Sequence, residues 1–313
     1  MHSLRFFTDA DVAAALPYAP LIEALRRGLQ QPCQAPVRSA HGLPADASLL
    51  QMPVWQAGQG IGVKLVTVFP GNAGLGLPSV AAVFALFDDQ TGQPLALLEA
   101  TELTARRTAC ASALAADYLA RRDAKRLLIV GSGTLAAHMV RAHCSVRDYQ
   151  RVQIWGRSAA KLAPLVAQLR GEGYPVEASL DLPASVREAD SLSCVTTSRE
   201  ALVLGAWLTP GCHLDLVGAF LPSMRETDAA AVARARIVVD TRDGALAEAG
   251  DLLAAIAEGA ITADSIQTQL CDLLQGRGQR RDEQEITLFK SVGYALEDLV
   301  AARALLAVLD RPK

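Results

Sequence analysis

One segment, Arg126–Ala136, constrains the fold of this chain more than any other. Its apolar run Leu127–Val130 predicts a buried strand, and the sequence Gly-Ser-Gly-Thr-Leu-Ala that follows predicts a turn opening a helix. In dinucleotide-binding units the first glycine permits the turn, the second lets the backbone approach a pyrophosphate, and the free N–H groups of the helix bind the anion. A purely structural strand–helix turn can carry the same glycines. The candidate cofactor residues are Gly131, Ser132, Gly133, Thr134, Leu135 and Ala136.

The residues after the next predicted strand indicate which nucleotide is bound. A ribose with a free 2′-hydroxyl is usually held by an acidic residue about 20 positions past the glycine turn. This chain has instead Arg157, Ser158 and Lys161 in that region. Two cations and a hydroxyl suit a 2′-phosphate, so NADP(H) is preferred and NAD(H) is the alternative. A solvated basic helix start is the competing interpretation.

Composition excludes several classes of function. The chain has 313 residues, enough for two domains, and its net charge of −3 gives no electrostatic case for nucleic acid or an anionic membrane. Although 51% of the residues are hydrophobic, no apolar run has the length of a membrane span. The N-terminus lacks a signal-peptide pattern, and the six cysteines are scattered without metal-ligand spacing. We therefore expect a cytoplasmic protein with reduced thiols and no metal site.

Apolar patterning predicts two regions with different architecture. Residues 1–122 contain a helix over 11–30 capped by Thr8 or Asp9, strand-like runs with a hairpin at 88–92, and a helix over 103–121. Residues 123–284 alternate strands with helices, which predicts a doubly wound parallel sheet. Predicted strands cover 126–130, 151–155, 176–178, 191–195, 213–217 and 237–240, and later helices cover 243–258, 262–274 and 299–309.

Two basic residues in the first region have chemical interest. Lys64 interrupts an apolar strand; buried, it would have a lowered pKa and could bind a carboxylate or move a proton. Because alternation puts Val63, Leu65 and Thr67 on the other face, an outward-facing lysine on an edge strand fits equally well. Arg107 follows a predicted N-cap, Thr104, where an arginine opposes the helix dipole unless it holds an anion. A surface pair with Glu99 or Glu102 is the alternative.

Four segments, 64–116, 131–136, 217–228 and 285–298, carry long and unusual motifs. Together they resemble the ornithine cyclodeaminase/mu-crystallin family over nearly the whole chain. The resemblance implies an α/β protein: a Rossmann-type sheet at 123–284, plus an α+β substrate-binding and dimerisation domain at 1–122 that is completed by 285–313 with the C-terminal helix. It also implies a homodimer acting on a small imino or amino acid.

The resemblance also implies roles for individual residues. Arg38 and Arg107 would grip a substrate carboxylate, and Lys64 would hydrogen-bond the substrate and supply a proton. Asn72 and Thr108 lie in matching motifs as further substrate-binding candidates. The Phe-Lys-Ser sequence at 289–291 is common among the reductases of the family, and it adds Lys290 to the candidate cofactor residues.

One departure from the family pattern separates the candidate activities. Ornithine cyclodeaminases carry an aspartate directly after Val-Gly-Ala, where this chain has Phe220. Phenylalanine cannot exchange protons with an amine but suits a flat apolar ring, and neither Asp215 nor Asp228 occupies the matching position. We therefore expect NADPH-dependent reduction of 1-pyrroline-2-carboxylate, and of its six-membered homologue 1-piperideine-2-carboxylate, to L-proline and L-pipecolate. The alternatives are an alanine dehydrogenase, an ornithine cyclodeaminase and a mu-crystallin-like binding protein.

Overall fold

The computed structural model describes residues 4–310 apart from the side chain of Ala73, and it forms two compact units. The first unit comprises the described residues up to Thr108 and those from Tyr294 onward, and the second comprises Ala109–Gly293. Residues 1–3 and 311–313, which the predicted domain ranges and the prediction about the N-terminus include, lie outside the described part. Within residues 4–310, no helix is both long and apolar enough to cross a bilayer.

The first unit is built on a six-stranded mixed sheet with the order β1-β6-β5-β4-β3-β2. Only the β1–β6 pair is parallel among its neighbouring strands. The strands are β1 (Arg5–Phe7), β2 (Ser39–Gly42), β3 (Ser48–Gln56), β4 (Gly60–Val68), β5 (Val80–Phe87) and β6 (Pro94–Glu99). The helices are α1 (Asp9–Ala15), α2 (Tyr18–Gly28), α3 (Thr101–Leu119), which runs on into the second unit, and α11 (Ala295–Leu309).

The predicted helix over 11–30 is wrong in one respect, because two helices occupy this region. Thr8 caps α1 in a reciprocal capping box with Asp11, so Thr8 and not Asp9 is the cap. Pro17 separates the helices, because proline has no backbone N–H to donate and its ring clashes with the preceding helical turn. The predicted hairpin over 88–92 is confirmed by the antiparallel pairing of β5 with β6.

The second unit contains an eight-stranded parallel sheet with the order β13-β12-β14-β11-β10-β7-β8-β9. Its strands are β7 (Arg126–Val130), β8 (Arg151–Trp155), β9 (Val176–Ser179), β10 (Ser191–Cys194), β11 (His213–Leu216), β12 (Ala235–Val239), β13 (Thr268–Gln269) and β14 (Ile286–Lys290). Its helices are α4 (Thr134–Val146), α5 (Ala159–Gly171), α6 (Leu182–Glu188), α7 (Ala229–Ala233), α8 (Arg242–Glu248), α9 (Gly250–Ala257) and α10 (Leu270–Leu274). The α/β prediction with a doubly wound parallel sheet is confirmed.

Three details of the second unit differ from the prediction. Residues 286–290, assigned above to the first domain, form β14 and pair with both β11 and β12. All five of these residues are buried, so the strand has no alternating pattern to reveal it. The predicted helix over 243–258 is divided at Ala249 into α8 and α9. The predicted helix over 262–274 is a 3-10 turn, the short strand β13 and α10.

The strand order locates the ligand crevice of this sheet. From β7 the chain goes to β8 and β9 on one side, and then returns to β10 and β11 on the other. In open parallel sheets, ligands bind outside the carboxyl ends of the strands at such a switch point. The loops after β7 and β10 therefore border the expected crevice.

Candidate active site

Lys64 lies on the buried face of a central strand of the first unit. Its neighbours in register are Met52 on β3 and Phe84 on β5, so the edge-strand interpretation is wrong. Its side chain is only 2% exposed, and its Nζ lies 2.7 Å from Oδ2 of Asp298 on α11. Lys64 is thus a buried cation held by one carboxylate.

The surroundings of Lys64 make its ammonium group a stronger acid than that of an ordinary lysine. Burial lowers the pKa of Lys64 most, and the charge on Arg107 lowers it further, while Asp298 acts in the opposite direction. The balance brings the pKa from 10.5 to about 8. A group with that pKa is mainly protonated at neutral pH and still releases its proton readily.

Arg107 lies inside α3, not in its first turn. The helix begins at Thr101, so the predicted cap Thr104 is wrong and the argument from the helix dipole does not apply. The alternative that Arg107 pairs with Glu99 or Glu102 is also wrong. It is the preceding residue, Arg106, that pairs with Glu102, at 2.5 Å. Arg107 itself is 4% exposed and donates to two carboxylates of α11: from Nη1 to Glu297 at 2.7 Å and from Nε to Asp298 at 2.9 Å.

These contacts form a buried ionic quartet of Lys64, Arg107, Glu297 and Asp298. Burial opposes the charge on Arg107, but Asp298 and Glu297 outweigh it and raise the pKa of Arg107. Asp298 bridges the two cations, one through each of its oxygens. The two acids are residues that our sequence analysis missed, although adjacent acids at the start of the largely apolar segment 295–309 were an available signal.

The other predicted substrate residues are placed as follows. Arg38 is partly buried, and its charge also lowers the pKa of Lys64, so it belongs to the same electrostatic neighbourhood. Thr108 is buried on α3 next to Arg107. Asn72 lies in the 3-10 segment Pro70–Leu75, and its amide donates to the carbonyl of Pro78 at 2.8 Å. Lys64, Arg107 and Arg38 are therefore brought together, whereas the described contact of Asn72 is to its own loop.

The glycine turn of the second unit has the properties that a pyrophosphate site needs. Gly131 has φ +127°, and a Cβ there would lie 2.9 Å from the carbonyl oxygen of Val195. A Cβ at Gly133 would meet no described atom within 4 Å, so the space beside this residue is open. Gly133 is the N-cap of α4 and supplies no side-chain cap for the N–H groups of Thr134 and Leu135. These residues, with Ser132 and the fully buried Ala136, fit a dinucleotide.

The predicted ribose-phosphate residues lie beside this turn. A Cβ at Gly156, the residue after β8, would be 3.2 Å from Oγ of Ser132. Arg157 and Lys161 are exposed, and Ser158 is the N-cap of α5 without a capping hydrogen bond. Among residues 4–310 no ion pair engages Arg157 or Lys161, so both cations are available to a ligand.

Lys290 and Phe220, predicted to contact the cofactor and the substrate, both have contacts within the second unit. Lys290 is fully buried at the end of β14, and its Nζ lies 3.2 Å from Asp251 of α9. Phe220 is partly buried and packs against the apolar core of the second unit. A direct cofactor contact of Lys290 and a substrate contact of Phe220 stay predictions.

The parallel sheet and its glycine turn are typical of nicotinamide-dependent oxidoreductases. Residues 9–310 match the ornithine cyclodeaminase/mu-crystallin family. The chain is 40% identical to the Delta(1)-pyrroline-2-carboxylate reductase of Paracoccus denitrificans, with 97% of each chain covered. This chain belongs to the ornithine cyclodeaminase/mu-crystallin family and is an oxidoreductase.

Two solved structures are similar over almost the whole chain. The Delta(1)-pyrroline-2-carboxylate reductase of Thermococcus litoralis, in complex with NADH and L-proline, superposes with a TM-score of 0.93 at 31% identity, covering 97% of each chain. An archaeal alanine dehydrogenase dimer with bound NAD gives a TM-score of 0.92 at 26% identity, covering 97% of this chain and 95% of that one.

Proposed function

We propose that this protein reduces the C=N bond of a small cyclic imino acid, 1-pyrroline-2-carboxylate, to give L-proline. NADPH is the preferred reductant and NADH the alternative, and 1-piperideine-2-carboxylate, which gives L-pipecolate, is a second substrate. The observation that carries the proposal is Lys64, a buried proton carrier with a pKa of about 8 next to Arg107. The reductase names of similar proteins support the substrate class.

In the first unit, the arginines bind the substrate carboxylate and Lys64 protonates the imine nitrogen. Arg107 and Arg38 attract the carboxylate, and Asp298 and Glu297 fix the orientation of the Arg107 guanidinium through its Nε and Nη1. Lys64 holds a proton at Nζ and delivers it to the imine nitrogen, so that the nitrogen does not develop a full negative charge. Asp298 fixes the position of that ammonium group. When bound, the nicotinamide supplies the hydride to the imine carbon.

The contacts of Asp215 and Asp228, the acids that flank Phe220 in the sequence, favour reduction over cyclodeamination. Asp215 is fully buried and accepts a hydrogen bond from Ser193 at 2.5 Å. Asp228 caps α7 through the N–H of Ala231 at 2.9 Å. Both carboxylates thus have structural partners, and neither replaces the aspartate that a cyclodeaminase has at position 220.

The assay that tests this function follows NADPH oxidation at 340 nm with 1-pyrroline-2-carboxylate, in parallel with NADH and with pyruvate plus ammonia. We expect rapid, saturable oxidation with the cyclic imine. Nucleotide oxidation with pyruvate plus ammonia, but not with the cyclic imine, would indicate an alanine dehydrogenase. Nucleotide binding without turnover of either substrate would indicate a mu-crystallin-like role.

Cofactor preference has a direct test in Arg157. Replacing Arg157 with alanine is expected to raise the KM for NADPH about tenfold, because an exposed cation that pairs with a phosphate contributes on the order of 1–2 kcal/mol. The KM for NADH should stay within about twofold, since NADH lacks the 2′-phosphate. Steady-state kinetics with both nucleotides measures this, and equal changes in the two KM values would contradict the assignment.

We also propose that the protein is a homodimer formed through the sheet of the first unit. Trp55 and Ile61 are register partners, and Leu65 lies on the same face of β4, opposite Lys64. The exposed fractions of these side chains are 44%, 39% and 37%. Phe6, 55% exposed, lies on this same outer face through the pairing of β1, β6, β5 and β4. An apolar sheet face of this kind is typical of a subunit interface.

The substitution Ile61→Asp is expected to weaken this association, because it places an unpaired charge in the middle of the apolar face. Sedimentation velocity should show a dimer for the unaltered protein and a shift toward monomer for the variant. The control is Leu180→Asp, which changes an exposed leucine of the second unit. A shift of both variants, or of neither, would argue against this interface.

A further inference from the structure

Glu226 links the loop after β10, which borders the expected crevice of the parallel sheet, to the loop after the neighbouring strand β11. Its side chain is fully buried, although it lies in a loop. Its Oε1 accepts hydrogen bonds from the N–H and the hydroxyl of Thr196, at 2.6 and 2.9 Å. Its Oε2 accepts from the N–H groups of Gly218 at 2.7 Å and Ala219 at 3.3 Å. One carboxylate therefore joins the loop after β10 to the loop after β11.

The first of these loops also contacts the glycine turn. A Cβ built on Gly131 would lie 2.9 Å from the carbonyl oxygen of Val195 and 3.3 Å from Cγ2 of Thr196, so this loop packs closely against the glycine turn. A Cβ at Gly218 would lie 2.0 Å from the carbonyl oxygen of Thr196, so only glycine fits at that position. The residue two positions further on is Phe220. Through Thr196, Glu226 thus connects the glycine turn with the segment that carries Phe220, the predicted substrate contact.

A second buried carboxylate fixes Glu226 from the other side. Oδ1 of Asp251 accepts from the backbone N–H groups of Glu226 and Thr227, at 2.7 and 3.0 Å. Its Oδ2 pairs with Lys290. This gives the buried Lys290 a role that does not require contact with the cofactor, because it partly neutralises a site containing two carboxylates.

We propose that Glu226 is a positioning residue for the nicotinamide half of the cofactor. The adenosine side of a dinucleotide lies at the end of β8, where Arg157 is found, so the other half extends across the ends of β10 and β11. The carboxylate of Glu226 holds the backbones of both loops at that place. The inference rests on the proposed nicotinamide-dependent function and adds a residue to which no role in it has been given.

The charge state of Glu226 decides whether it can hold both loops. An ionised carboxylate only accepts hydrogen bonds, and all its described partners here are donors. A protonated carboxyl would place an O–H among N–H groups and lose part of this set. Burial raises the pKa of Glu226 most, Asp251 raises it further, and Lys290 opposes them. Cys194 on β10 and Asp215 on β11 are further titratable groups of this neighbourhood. Nicotinamide affinity should therefore weaken as the pH falls from 8 to 6.

The test compares Glu226→Gln with the matched control Glu200→Gln, which makes the same change at an exposed residue after β10. Binding of NADPH and NADH is titrated by fluorescence from pH 6 to 8.5, and folding is checked by circular dichroism and thermal unfolding. We expect Glu226→Gln to raise the Kd of both nucleotides about tenfold at pH 8, since its amide cannot accept on both sides. The pH dependence of the Kd should flatten, while the control behaves as the unaltered protein. Any titration of the nucleotide itself is common to all three proteins.

The outcomes separate the inference from the function on which it rests. Unchanged Kd values in Glu226→Gln would overturn the positioning role, even if thermal stability fell. Should that variant not fold, Thr196→Val removes one hydroxyl donor to Glu226 at nearly constant volume. A rise of about threefold or more in the Kd is then expected, and an unaltered Kd would overturn the proposal. If the unaltered protein bound neither nucleotide, the proposed function itself would fail.

Discussion

Replacing Lys64 with methionine is expected to slow imine reduction by about 10²- to 10⁴-fold, the usual contribution of a positioned acid or base. Methionine preserves the apolar length of the side chain but cannot carry a proton. The fold should persist because Asp298 keeps its hydrogen bond from Arg107. The measurement is kcat at saturating imine and NADPH, together with the Kd of NADPH. Nucleotide binding should change little, since the glycine turn belongs to the other unit.

The pH profile distinguishes loss of a proton donor from general damage. In the unaltered protein the rate of reduction should fall about tenfold per pH unit above the Lys64 pKa of about 8, because the reactive form is the protonated one. The residual activity of Lys64→Met should lack this alkaline limb. The titration of the imine itself is common to both profiles and cancels in their ratio. A kcat close to that of the unaltered enzyme, or the same alkaline limb in the variant, would remove Lys64 from the mechanism.

Replacing Arg107 with methionine is expected to lower the free energy of unfolding by about 3–5 kcal/mol, the cost of removing one partner from a buried ion pair. Glu297 and Asp298 are both completely buried, and Arg107 donates to each of them. The site of low polarity would then keep both carboxylates of the quartet but lose one of its two cations. Urea unfolding measures the effect through the midpoint at constant slope.

Arg106→Met is the matched control, since it changes the neighbouring residue of the same helix. Its pair with Glu102 is more exposed to solvent than the quartet, so this ion pair should contribute no more than about 1 kcal/mol. The variant also loses the hydrogen bond to the carbonyl of Leu16 and the contact with the Tyr18 ring, so a cost smaller than that of Arg107→Met is expected, not zero. Arg107→Lys keeps a charge but loses the planar fork, and it should recover part of the stability while the KM for the imine remains raised. Equal unfolding free energies for Arg106→Met and Arg107→Met would show that the quartet is not a structural element.

Much of the second unit could be predicted because its strands carry strong local signals. The segment 126–136 combines an apolar run with two glycines, and the structure has β7, the turn and α4 at these positions. Strand β14 lacks such a signal, since five buried residues in a row fit a strand or a buried helix equally. Its place between β11 and β12 is set by pairing with segments about 50 and 70 residues earlier, which local patterning does not encode.

The candidate site was only partly predictable for a related reason. Alternation along β4 correctly separates Lys64 from Val63 and Leu65, but it does not tell which face is covered. Here the more apolar face is the exposed one, and the face with the lysine is buried. The partner that decides the chemistry, Asp298, lies 234 residues further along the chain, so only the tertiary structure joins the two. Conventional interpretation would assign an acid at the start of α11 to the helix dipole.

The position of β14 has a consequence for how the chain acquires its structure. The last strand of the second unit in chain order, β14, lies in the interior of the parallel sheet, with β11 on one side and β12 on the other. A nascent chain that has emerged only as far as residue 285 presents the edges of both strands unpaired. Open edges of this kind invite association with other chains. Folding of the second unit is therefore not expected to be completed before β14 has emerged, and chaperones that shield strand edges should raise its yield.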